Sequence, residues 1–134
     1  MYKSFLIWAS ILGAIAVMLG AFGAHALQKI VAEQKVEVFK TGVTYQFYHV
    51  FALLALAGLQ YQKPNLVFKW AGIFYIWGII CFSGSLYLLT FIDINQYPNL
   101  KILGIITPIG GLFFIVGWLC MLVGVCRMKN RLPM

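Results

Sequence analysis

Four apolar runs, each long enough to cross a bilayer and separated by short polar connections, constrain this chain more than anything else in it. They go from Phe5 to about Ala26, from about Val38 to Leu59, from Leu66 to Phe91 and from Ile102 to Cys126. A hydrocarbon core roughly 30 Å thick takes about 20 apolar residues of helix per crossing. Each run therefore predicts one transmembrane helix, and the short connections make sequential helices antiparallel. The expected fold class is all-α: one four-helix transmembrane bundle forming a single domain over residues 1–134. Composition agrees, since 63% of the residues are hydrophobic and the charged ones are ten Lys or Arg and three Asp or Glu. That is too little polar surface to dissolve a globule carrying so much apolar material.

The first run has two features of a secretory signal: Lys3 precedes it, and Ala24-His25-Ala26 mimics a small-residue cleavage site. Its apolar stretch is longer than the roughly 7 to 15 residues of such segments, so it is expected to be retained as a helix. The longest connection, Leu27 to Lys40, alternates Lys29, Glu33, Lys35 and Glu37 with Ile30, Val31, Val36 and Val38. Two readings stay open for it, an interfacial amphipathic helix and a solvated loop, because Gln34 interrupts the apolar stripe.

A formal charge of +7 raises the question of nucleic acid, but the basic residues are scattered over termini and connections without forming a patch. No nucleic-acid partner is expected; the lipid bilayer is. Basic residues near helix ends set topology. Lys3, Lys63, Lys69, Arg127, Lys129 and Arg131 share one side, against Lys29, Lys35, Lys40 and Lys101 on the other. Six against four predicts a multi-pass protein of the inner (plasma) membrane with both termini in the cytoplasm. Cys81, Cys120 and Cys126 lie in or at the end of apolar runs, which predicts buried, reduced packing residues.

Glycines recur every seven residues, at Gly110, Gly117 and Gly124 in the fourth run and at Gly13 and Gly20 in the first. That interval returns to nearly the same helical face, where small residues let helix backbones approach. Helix packing is the role expected of these five. Two such stripes offer more small-residue surface than a four-helix bundle obviously needs, so a homo-oligomer is expected.

Polar side chains inside the runs carry more information, because hydrocarbon penalises them unless they find partners. His25 ends the first helix, Tyr45, Gln46 and His49 lie early in the second, Ser83, Ser85 and Thr90 late in the third, and Thr107 early in the fourth. Alternating helix direction brings all of them to the half of the membrane that holds the first and third connections. A rise of about 1.5 Å per residue places His49 roughly 12 Å below its helix start, with Ser83 and Thr107 at about 9 to 12 Å. The candidate binding cluster is therefore His25, Tyr45, Gln46, His49, Ser83 and Thr107. Helical phase groups Ser83 with Tyr87 and Thr90, and sets Ser85 apart with Gly78 and Cys81, for packing. Pro108 cannot donate to the Gly104 carbonyl, which predicts a kink beside Thr107.

Other chemistries fit the residues poorly. His25 is too shallow to share a level with His49, against haem ligation, so no cofactor is expected. No metal-ligand pair stands at i, i+4 spacing, so no metal is expected either. Ser83 beside His49 lacks an acidic group within the runs to orient the imidazole, so no catalytic residue is assigned.

Five ordered motifs carry a resemblance. They are Gly20-Ala21-Phe22-Gly23-Ala24-His25, Thr41-Gly42-Val43-Thr44-Tyr45-Gln46-Phe47-Tyr48-His49, Phe82-Ser83-Gly84-Ser85-Leu86-Tyr87, Thr107-Pro108-Ile109-Gly110-Gly111 and Gly117-Trp118. Over nearly its whole length the chain resembles the YgdD/YwdK-type family of small inner-membrane proteins, the domain of unknown function numbered 423. Members carry a Trp shortly before the Thr-Gly pair and a Gln or Glu within the second motif, where this chain has Phe39 and Thr44. The resemblance implies a four-helix membrane protein and brings no activity with it. Two function classes follow. The first is binding or permeation of a small polar molecule, ion or lipid headgroup at the polar cluster. The alternative is a structural or assembly subunit of a larger membrane complex, with the cluster tying helices together.

Overall fold

The computed structural model describes residues 1–92 and 101–128. Asp93 and Tyr97-Pro98-Asn99 of the third connection, and the basic residues Lys129 and Arg131, lie outside the described residues. The elements are α1 (Tyr2–His25), α2 (Glu33–Gln62), α3 (Leu66–Phe91) and α4 (Ile102–Cys126). All four are long and apolar enough to cross a bilayer. α2 and α3 occupy the middle, α1 lies along α2, and α4 lies along α3.

α3 and α4 have the bounds that hydropathy predicts; α2 does not. It starts at Glu33 rather than near Val38 and ends at Gln62, so the first connection shrinks to a short 3-10 turn at Leu27–Lys29 and the residues around it. Lys35 gives the reason. Its ammonium donates to the carbonyls of Leu89 and Ile92, the latter at 3.0 Å, at the C-terminal end of α3. The last carbonyls of a helix have no intrahelical donor, so a cation there satisfies orphan acceptors. Of the two readings of the Leu27 to Lys40 segment, neither describes its second half, which is a continuation of a transmembrane helix. At the opposite end, Asn65 accepts from Val67 N at 2.9 Å and caps α3.

A wide turn interrupts α3 at Ile79–Ser83, where Gly84 N–H reaches back five residues to the Ile79 carbonyl. Such π-turns shift the phase of a helix by one residue and occur often at functional sites. Here the Phe82 backbone faces Gly110 of α4, so closely that an added Cβ would stand 2.3 Å from Phe82 N.

The heptad glycines all face neighbours within the chain. Gly110, Gly117 and Gly124 meet Phe82, Tyr75 and Phe68 of α3, while Gly13 and Gly20 meet Val50 and Val43 of α2. Both stripes thus meet residues of the bundle itself. The main core runs from Phe5 and Leu12 through Leu53 and Leu56 to Phe68, Tyr75, Ile79 and Phe114. A second cluster, Leu27, Val36 and Phe39, closes the end at the first connection. Cys81 and Cys120 are half-buried, but Cys126, expected to be buried, is exposed because it stands in the last turn of α4 on a side no helix covers.

Candidate functional site

Three sets of polar side chains join the helices, while Thr90 donates to the Leu86 carbonyl of its own helix at 2.9 Å. In the first, Gln46 is buried at the meeting of three helices: its Nε2 donates to the Leu12 carbonyl of α1 at 2.7 Å, and its Oε1 accepts from the Tyr87 hydroxyl of α3 at 2.7 Å. Ser83 completes this set, donating to the Gly42 carbonyl of α2 at 2.7 Å. In the second, Ser85 and Thr107 share a 2.6 Å hydrogen bond that ties α3 to α4. The packing role expected of Ser85 thus includes a polar tie, which the π-turn helps to aim.

The third set holds His49, which is buried where α2 approaches α4. Its Nδ1 lies 2.8 Å from the Tyr45 carbonyl and its Nε2 is 3.2 Å from Trp118 Nε1. A carbonyl only accepts and an indole N–H only donates, so the proton sits on Nδ1 and the Nε2 lone pair takes the indole hydrogen. The imidazole ring lies flat on Phe114, with centroids 3.4 Å apart and planes 6° from parallel. His49, Ser83 and Thr107, expected to meet, each bond to different groups. His25 is exposed at the end of α1, apart from all three sets.

Among the described residues every buried side-chain nitrogen or oxygen has a hydrogen-bond partner. Of the expected cluster, Gln46, His49, Ser83 and Thr107 are hydrogen-bonded within the chain. Beside the polar groups lies a groove of about 520 Å³ between α2 and α4, one of several openings on the bundle. Tyr45 and His49 line it from α2, Phe82 from α3, and Pro108, Gly111, Leu112, Phe114, Ile115 and Trp118 from α4. Tyr45 and Trp118 stand at its edges, 39% and 48% exposed. Among the described residues the Tyr45 hydroxyl makes no hydrogen bond. Sequence reasoning missed Phe114 and Tyr87 as site residues, and took Trp118 only as part of a motif. The i, i+4 spacing of Phe114 and Trp118 was the available signal.

Comparison with known proteins places the chain. A family model described as "Protein of unknown function (DUF423)" matches residues 19–111. The chain belongs to this family. It is 40% identical over 126 residues to the UPF0382 inner membrane protein YgdD of Escherichia coli K12, covering 94% of this chain and 92% of that one. A UPF0382 membrane protein of Staphylococcus saprophyticus is 40% identical over 122 residues, 91% of this chain and 96% of its own. One from Staphylococcus aureus is 41% identical over 121 residues, 90% and 93% respectively. No solved structure matches the chain. It is thus a member of a family of membrane proteins whose description carries no activity, and the matched stretch includes Gln46, His49, Ser83, Ser85, Tyr87 and Thr107 but ends before Phe114 and Trp118.

Proposed function

We propose that this membrane protein binds a neutral amphiphile of the lipid phase in the groove between α2 and α4. The observation that carries the reading is the contrast between two regions. Gln46, His49, Ser83 and Thr107 of the polar cluster bond inside the bundle, which leaves few groups there for the small polar molecule or ion expected of it. The groove beside it has a volume in the range of ligand sites, apolar walls and the Tyr45 hydroxyl, which has no partner among the described residues. The test is native mass spectrometry of the purified chain. An amphiphile should copurify with the wild type and be lost from Gly111→Leu, which fills the groove; equal occupancy in both sinks the reading.

A second reading, a structural or assembly subunit, is favoured by the complete internal pairing of the polar groups. In that case the groove takes a transmembrane helix of a partner protein, and photo-crosslinking from Ile115 should yield one discrete adduct. Self-association would then use surfaces other than the glycine stripes, which meet residues of the bundle itself. Both readings keep the termini in the cytoplasm.

A further inference from the structure

The walls of the groove narrow the ligand class, on the reading above that a lipid-phase molecule occupies it. Its surface is largely aromatic. Tyr45 stands 4.7 Å from Phe82, Phe82 stands 5.5 Å from Phe114, and Phe114 carries the His49 ring on its face. The Trp118 indole, held by its N–H on His49, forms the far end. An acyl chain gains only buried area against such walls, whereas a planar conjugated ring adds stacking or edge-to-face contacts.

The polar content narrows it again. No Lys, Arg, Asp or Glu lines the groove, so a charged head would sit unpaired in hydrocarbon. The free Tyr45 hydroxyl suits a single neutral acceptor such as a carbonyl. Length adds a third restriction, because Pro108 to Trp118 rises about 15 Å along α4, longer than one ring and matched by a ring with an apolar tail.

The geometry points to a quinone-type ligand: a planar conjugated ring laid against Phe82 at the edge of the Tyr45 ring, its carbonyl accepting from the Tyr45 hydroxyl and its tail running toward Trp118. The experiment uses the full chain in lipid nanodiscs with Trp8, Trp70 and Trp77 replaced by Phe, leaving Trp118 as reporter. A decyl-substituted benzoquinone should quench Trp118 saturably. An alkyl ketone of similar length, which has the carbonyl without the ring, should compete at least about tenfold more weakly. Tyr45→Phe should raise the half-saturation about fivefold to tenfold. Gly111→Leu should abolish saturation.

A ketone that competes as well as the quinone overturns the ring class and leaves the groove reading standing. So does quenching linear in quinone, if Gly111→Leu still loses its copurified amphiphile. Linear quenching together with an amphiphile indifferent to Gly111→Leu overturns both.

Discussion

Replacing Gln46 with Leu tests whether the bundle is tied by the hydrogen bonds described. The side chain is 2% exposed and joins three helices through one donated and one accepted bond. Leucine fills most of the volume but leaves the Tyr87 hydroxyl facing an apolar group. The Leu12 carbonyl keeps its place in the α1 ladder, so its loss is small. Hydrogen bonds between transmembrane helices average about 0.6 kcal/mol and reach about 1.7, while a buried hydroxyl left unpaired costs about 1 to 3 kcal/mol. The single variant should therefore lose about 1.5 to 3 kcal/mol. Tyr87→Phe strands the Gln46 oxygen instead and should lose a similar amount. The double variant removes both partners and should cost less than the sum by about 1 to 2 kcal/mol. Steric trapping in bicelles reads all four stabilities. Additivity within about 0.3 kcal/mol would refute a direct Gln46–Tyr87 bond.

Gly110→Ala should destabilise by about 1 to 3 kcal/mol, because its Cβ would meet Phe82 backbone at 2.3 Å, whereas Gly111→Ala, with Phe82 ring carbons at 3.8 Å, should stay within about 0.5 kcal/mol in the same assay. His49→Phe keeps a ring on Phe114 and His49→Gln keeps a donor and an acceptor; spin labels at Phe51 and Leu119 should show an unchanged α2–α4 distance in the first and a broadened one in the second, and identical distributions would mean that the stack does not set the spacing. In a background with Cys81, Cys120 and Cys126 replaced, a cysteine at Gln34 should label from outside the cell and one at Gln62 only after permeabilisation; the reverse pattern overturns cytoplasmic termini.

Hydropathy located α3 and α4 to the residue because their polar flanks begin where the helices stop. It failed at the start of α2, where Glu33, Lys35 and Glu37 read as a connection. A charged helical turn and a charged loop look alike to an apolar count, and only the reach of Lys35 to the α3 carbonyls distinguishes them. Rise per residue puts His49, Ser83 and Thr107 at one depth, but Ser83 bonds at the level of Gly42, seven residues or about 10 Å before His49. Ser83 chose a backbone carbonyl and Thr107 chose Ser85, choices set by helix rotation and by a π-turn that no residue pattern announces. Heptad glycines told which face of α4 is small without telling which neighbour fills it.

That last choice explains why a groove exists. Turning Gly110, Gly117 and Gly124 toward α3 brings those two helices into close contact; Phe114, on the same face, packs on Gly78 of α3 and against the His49 ring of α2, while Trp118 reaches His49 through its indole N–H. Large residues hold α2 and α4 apart, so the two meet through rings and not backbones. His49 fills part of the gap, and its environment demands a side chain that is flat for Phe114, a donor for the Tyr45 carbonyl and an acceptor for the Trp118 indole. Among the natural side chains, neutral imidazole alone meets all three demands with one ring. A histidine in the hydrocarbon therefore need not signal proton transfer or metal binding: it closes the floor of the groove and orients Trp118 at its end, so that the opening left above it is apolar, aromatic and supplied with a single hydroxyl.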